Sequence, residues 1–356
     1  MKFYKKIFVS LYLLLLASSH LISQEKFSIE NQPTALVEAL GLPNHGILKK
    51  NAKGMVYLDI SNKFISLSNL IDLPGQIISA SINPGAIGAH IPVFLESEHF
   101  VPDELGKTFY FDVLDIRSSL VKTKNGLIKP WEITINSPDL EKIRKKYNFS
   151  LLKDNFCIRI GRQLPTAPEG SEKIVTLSHY NFSNVPTLPI AAKGDFISVH
   201  SDEILATALK VDSVGQLCIK NNGFAYVNVN NEFIESIAPL LPIEGNFNPL
   251  VTSAKAMGAH ISVFYEDEMI GHKIWLLEEA GEWFKFEVKE IRYLERKTSN
   301  GKTRLWLIAV DAPALQRLRT HYGLKPKLQG HDFHITIGTE KFEIESSTIF
   351  PEVDAA

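Results

Sequence analysis

The sequence predicts an α+β fold built twice in tandem. Three observations carry that expectation: phrases that recur roughly 170 residues further on, short apolar/polar alternations followed by Asn-Gly pairs, and one clear amphipathic helix in each repeat. The composition suits a packed core, with 45% hydrophobic and 22% charged residues in a chain of 356. At about 150 residues per domain that length suggests two domains.

The first residues stand apart from the fold. Lys2, Lys5 and Lys6 precede the apolar run Ile7 to Ala17, and Ala17, Ser18, Ser19 and Ser23 follow, the order of a secretory leader. A membrane anchor is the other reading, but Ile7 to Ile22 spans only 16 residues interrupted by Ser10, Tyr12 and His20, whereas a spanning helix needs ~20 apolar residues. Residues 1–23 are therefore expected to be a signal peptide, and the mature protein to be secreted or periplasmic and free of the membrane.

The repeat begins beyond the leader. Gly88-Ala89-His90-Ile91-Pro92-Val93-Phe94 returns as Gly258-Ala259-His260-Ile261-Ser262-Val263-Phe264, an offset of 170. Gly46 through Ile65 matches Gly215 through Ile234 at 169, Phe109 to Val113 matches Phe284 to Val288 at 175, and Phe156 to Gly161 matches Phe333 to Gly338 at 177. So slow a drift over more than a hundred residues predicts duplicated domains, not solenoid units. We place them at 24–165 and 171–350, divided where Pro165, Pro168 and Gly170 crowd Gln163 to Ser171.

Within each copy the alternating runs Phe109 to Val113 and Phe284 to Val288 read as strands, and Asn125-Gly126 and Asn300-Gly301 read as type I′ hairpin turns. The clear helices are Pro138 to Tyr147, capped by Ser137, and Ala312 to Tyr322, capped by Asp311. Several antiparallel strands with a few helices define an α+β domain.

Charge and cysteine content exclude whole classes. A net charge of −2 lacks the basic excess of a general duplex-DNA binder. Cys157 and Cys218 cannot build a disulfide framework or a four-thiolate zinc site. The histidines form neither an i, i+4 helical pair nor a Cys/His cluster, and glycine-rich phosphate loops are absent, so no metal, nucleoside triphosphate or NAD is expected as a cofactor.

The chemistry-bearing pattern is His260-Ile261-Ser262-Val263 with His334-Ile335-Thr336-Ile337, 74 residues apart. On a strand, His260 and Ser262 share one face and Ile261 and Val263 the other, and the second motif alternates likewise. Two such strands facing one another across a groove would offer two imidazoles as base and acid and two hydroxyls to bind the anion between them.

Here the sequence resembles the 2H phosphoesterase superfamily, whose members carry two His-x-Thr/Ser motifs in a bilobal α+β fold. The resemblance covers roughly Pro242 to Phe342 and reaches the N-terminal copy only through the repeat. It implies two tandem 2H-like domains, each with antiparallel sheets around a central groove. It implies His260 and His334 as acid/base pair, Ser262 and Thr336 as phosphate-binding hydroxyls, and metal-independent cleavage of a 2′,3′-cyclic phosphate or 2′-5′ linkage. Residues alone do not say which histidine is the base.

The first copy departs from the pattern: His90 remains, but Pro92, Cys157 and Arg159 stand where the first hydroxyl, the second histidine and the second hydroxyl are expected. We read it as a degenerate site in which Arg159 either retains anion binding or is a surface ion-pair partner. Cys157 as a nucleophile beside His90 is the weaker reading, since cysteines in apolar strands are usually inert. Arg292, Arg296, Lys297, Lys302 and Arg304 gather near the second hairpin, as a phosphate guide or as a solvated turn. The acidic balance of the second copy favours a small nucleotide or RNA end over long RNA. The alternative is a secreted, non-catalytic module that binds a nucleotide or a protein.

Overall fold

Alternation sorts much of this chain into strands: burial follows it in runs such as Val56–Asp59 and Ala225–Val229, while the central runs Pro130 to Ile135 and Trp306 to Val310 are buried on both faces. In the computed structural model, residues 27–343 are described, except 82–85, 125, 153–155, 176, 179–185, 191–195, 253–255 and 299–300. The predicted leader and the turn residues Asn125 and Asn300 lie outside the described residues. The chain divides into two compact units, Met1–Leu164 and Pro165–Ala356. Both are α+β with antiparallel sheets.

The first unit contains β1 (Ser28–Ile29), β2 (His45–Lys50), β3 (Val56–Asp59), β4 (Gln76–Ser79), β5 (His90–Phe94), β6 (Thr108–Tyr110), β7 (Asp112–Ser118), β8 (Val121–Thr123), β9 (Gly126–Asn136) and β10 (Phe156–Leu164). Its helices are α1 (Pro33–Leu40), α2 (Lys63–Ser66) and α3 (Pro138–Lys146). One sheet runs β1-β7-β9-β10-β4 with β8 on β9, and a second runs β5-β3-β2-β6. Leu58, Ile91, Ile133 and Ile158 from both sheets are fully buried in one core with Leu140 of α3.

The second unit contains β11 (Phe196–Val199), β12 (Val214–Ile219), β13 (Ala225–Val229), β14 (Asn246–Pro249), β15 (His260–Phe264), β16 (Trp283–Lys285), β17 (Glu287–Thr298), β18 (Gly301–Asp311) and β19 (His334–Glu343). Its helices are α4 (Asp202–Ala208), α5 (Glu232–Glu235), α6 (Glu266–Gly271) and α7 (Pro313–His321). Here one sheet runs β11-β17-β18-β19-β15-β13-β12-β16, with β14 on β19. Its two halves meet where Ile261 of β15 pairs with Ile335 of β19.

That pairing belongs to a row crossing the sheet, Val227–Ile261–Ile335–Ile308–Ile291, in which each residue is paired with the next. None is more than 1% exposed. Burying such a side chain contributes about 1.5–3 kcal/mol, so this register is strongly held. Leu315 and Leu318 of α7 and Ile204 of α4 lie in the same core.

Several local expectations are corrected. Ser137 occupies the N-cap of α3, but its hydroxyl donates to the Tyr110 carbonyl (2.7 Å) instead of capping. Asp311 does not cap α7, because it still pairs with Glu287 at the end of β18; Ala312 takes the N-cap and Pro313 opens the helix. The run Phe109 to Val113 is not one strand: β6 pairs with β2 and β7 with β9, and the chain changes sheets at buried Phe111. A similar break falls at Phe286, between β16 on β12 and β17 on β18. Sequence also missed the short helices, whose runs of four to eight residues show too little period to stand out.

Candidate active site

The pairing of Ile261 with Ile335 fixes what stands on the other face of the sheet. One residue to either side, His260 lies across from Thr336 and Ser262 across from His334. The four side chains form a square, with the histidines on one diagonal and the hydroxyls on the other. Opposed positions in such a ladder are about 5 Å apart, and diagonal ones about 7–8 Å. The two motif strands are thus hydrogen-bonded neighbours in one sheet, which replaces the expected picture of strands facing across a groove.

Both imidazoles are held in the same way. His260 Nδ1 lies 2.8 Å from the Gly258 carbonyl, and His334 Nδ1 lies 3.0 Å from the Asp332 carbonyl. A carbonyl only accepts, so each Nδ1 carries the proton and each neutral ring presents Nε2 as its basic nitrogen. Among the described residues no side chain or backbone group is hydrogen-bonded to either Nε2, to the Ser262 hydroxyl or to the Thr336 hydroxyl.

The supports behind the two rings differ. At His260 the preceding turn is fixed by Asn231, whose Oδ1 accepts the Ala259 amide (2.9 Å) and whose Nδ2 donates to the Thr252 carbonyl (3.2 Å). At His334 the support is ionic: the Asp332 carboxylate, 4% exposed, is clamped by Arg292 (2.9 Å) and Lys327. Burial holds both imidazoles below their usual pKa of 6.5. At His260, Lys220 and His334 add to the lowering and the Gly258 bond opposes it. At His334 the Asp332 bond opposes burial, while His331 and Arg292 reinforce it.

A pocket of about 40 Å³ opens beside the square, lined by Ser262 and His334 together with Tyr265, Gln329 and His331. Gln329 sits at φ +51°, an unusual left-handed conformation for a residue other than glycine. Tyr226 pairs with Ser262 across β13 and β15, and its ring meets His260 edge-on at 5.8 Å. Sequence reasoning missed Tyr226, Tyr265, Gln329 and Asp332.

Residues 225–344 match the family model described as Swiss Army Knife, 2H phosphoesterase domain. The match covers about a third of the chain and contains all four members of the square. No curated protein matches the sequence. A 2H phosphoesterase domain supports a phosphodiesterase-type function for this part of the chain.

The first-unit positions are less well equipped. His90 keeps its bond from Nδ1 to the Gly88 carbonyl (2.7 Å), and Pro92 offers no donor. The Cys157 thiol is pushed up to about 12, chiefly by burial and next by Glu132, which removes its thiolate at ordinary pH. Arg159, largely exposed, pairs with Glu132 (3.0 Å). Three of the five hairpin cations are paired: Lys302 and Arg304 meet Glu295, and Arg292 is buried between Glu290 and Asp332, while Arg296 and Lys297 are exposed. Among the described residues no group of three or more His, Cys, Asp or Glu is placed to hold a metal ion, and no helix is long and apolar enough to cross a membrane.

Proposed function

We propose that the second unit is a metal-independent phosphodiesterase acting on a 2′,3′-cyclic phosphate or 2′-5′ linkage of a nucleotide or RNA end. The observation that carries this reading is the square of two imidazoles and two hydroxyls on one sheet face. Cleaving a phosphodiester requires one proton taken from the attacking oxygen and one given to the leaving oxygen.

With a cyclic phosphate, the neutral imidazole takes a proton from water as the new O–P bond forms. The protonated imidazole gives its proton to the ribose oxygen as that oxygen leaves phosphorus. The histidines end with protonation states exchanged, and exchange with solvent resets them. Nδ1 is occupied in both rings, so both transfers run through Nε2. Ser262 and Thr336 donate to the non-bridging oxygens, where charge builds in the transition state.

The first unit, on this reading, is a degenerate, non-catalytic copy produced by tandem duplication. Matching supports favour duplication. Arg144 donates to the Val93 carbonyl and pairs with Glu98 (2.7 Å); Arg319 does the same with Val263 and Glu268 (2.8 Å). Asn62 accepts the Ala89 amide (2.8 Å) as Asn231 accepts that of Ala259. Lacking a second imidazole, the first unit has no acid/base pair. The leader-like residues Lys2 to Ser23 favour export.

The test is turnover of adenosine 2′,3′-cyclic phosphate and a 2′-5′ dinucleotide by the full chain in excess chelator, with products resolved by chromatography. Cleavage of either is expected. Activity abolished by chelator and restored by a divalent ion, or no cleavage of either substrate, would overturn the proposal.

A further inference from the structure

The first unit carries a cavity of its own. It measures about 230 Å³, against about 40 Å³ beside the square, and exceeds the ~150 Å³ that takes up a benzene ring. Its apolar lining is Ile78 and Ala80, at the β4 edge of the sheet, with Ile128 and Pro130 of β9; its charged wall is Arg159 and Arg162 of β10. Two arginines three residues apart on a regular strand would point to opposite faces. A bulge between Arg159 and Gly161 adds one residue to β10, which turns both guanidiniums to the same exposed side. Arg162 is paired with Ile78 on one side and Pro130 on the other, so apolar and cationic groups share one row.

Comparison with the second unit shows what has changed. The Ala80 amide donates to the Ile160 carbonyl (3.0 Å) as the Leu250 amide does to that of Ile337 (2.8 Å), so the two sheet edges share one register. In that register Ile78 answers to Asn248, Ile128 to Thr303, Ala80 to Leu250, and Arg159 and Arg162 to Thr336 and Thr339. The floor has gained two isoleucines in place of polar residues, the edge has lost a leucine's bulk, and the wall has gained two positive charges. Losing a catalytic site requires none of these changes; together they exchange a polar surface for an apolar hollow walled by cations. Arg159 donates through Nη2 to Glu132 (3.0 Å), a carboxylate it shares with Arg117 (3.2 Å), and its Nε and Nη1 have no acceptor among the described residues.

We propose that this cavity binds a small amphiphilic oxyanion, a carboxylate or phosphate monoester on an apolar body the size of one ring or a short alkyl chain. The body lies on Ile78, Ala80 and Ile128, and the head takes guanidinium donors of Arg159 and Arg162, whose planar fork matches two oxygens of either head. Charge complementarity selects the head, because a neutral or cationic ligand leaves the fork without an acceptor. The cavity is smaller than the ~300–1,000 Å³ of sites for drug-sized ligands, which keeps the occupant small. None of these residues belongs to the second unit, so the proposal stands apart from the phosphodiesterase reading.

Calorimetric titration of the full chain with octanoate, octyl phosphate, acetate and octan-1-ol tests it. Octanoate or octyl phosphate is expected to bind more tightly than acetate, which lacks the body, and than octanol, which lacks the charge; the tighter of the two identifies the head. Arg159→Thr/Arg162→Thr, which installs the second unit's residues, should weaken that ligand roughly 10- to 150-fold, the range for losing a hydrogen bond to a charged group. Ala80→Leu, which fills the cavity with the second unit's side chain and leaves both charges, should weaken it comparably, with melting curves showing that each variant folds. Both arginines are exposed, so the double variant decides the matter even where Ala80→Leu lowers stability. Octanoate and octyl phosphate binding no more tightly than acetate or octanol would overturn the proposal. So would parental affinity in the folded double variant, which is the result for a ligand held elsewhere, at the square included.

Discussion

Gly258→Ala is expected to damage the second unit and its chemistry through one shared support. Gly258 has φ of +65°, where an L side chain costs about 1–2 kcal/mol. A Cβ there would stand 2.3 Å from Asn231 Oδ1, which is tethered on both sides by Ala259 and Thr252. Displacing Asn231 strands the Ala259 amide in a fully buried residue, at about 1–3 kcal/mol more. The sum is about 2–5 kcal/mol, and at roughly 2–4 °C per kcal/mol the unit's melting transition should fall by about 4–20 °C. Because the Gly258 carbonyl also orients His260, kcat should fall as well. Asn231→Ala breaks the same Ala259 bond, so the double variant should cost less than the two singles combined. Scanning calorimetry with parallel turnover assays reads all three. A Gly258→Ala protein with parental melting and parental kcat would refute the reasoning.

Because burial lowers both imidazoles, the bell in kcat/KM for the free protein should peak below pH 6.5, and a maximum above pH 7 would contradict it. The same lowering means that the unfolded chain takes up these protons first as pH falls. The associated stability is fully present above the usual 6.5 and is lost below it, which denaturant melts between pH 7 and 5 would show. Cys157, pushed up to about 12, should resist thiol reagents at pH 8 while the chain is folded; rapid labelling of native protein at that position would count against its burial. Arg319→Ala, which removes a fully buried guanidinium from Glu268 and the Val263 carbonyl, should destabilise the second unit by roughly 3–5 kcal/mol, and an unchanged denaturation midpoint would refute that.

The two histidine motifs were legible in sequence because strand period alone puts His260 with Ser262 and His334 with Thr336. How the strands meet was not, since the pairing of Ile261 with Ile335 depends on the whole sheet closing. The rest of the site hid for the same reason. Asp332 owes its place to Arg292 and Lys327, residues of no shared motif. The expected cap at Asp311 was off by one residue, because strand pairing outcompeted capping there.

The central claim is that His260 and His334 divide one proton relay between them. Its most direct test is kcat on the cleaved diester, in excess chelator, for His260→Ala, His334→Ala, their double variant and His90→Ala. Each single loss in the second unit should lower kcat by ~10²- to 10⁴-fold, the usual contribution of a proton-transfer partner. The double variant should fall little further, because the pair acts as one unit, and His90→Ala should turn over at the parental rate. A double variant that still turns over at the parental rate, or a His90→Ala loss as large as that of His260→Ala, would contradict the account.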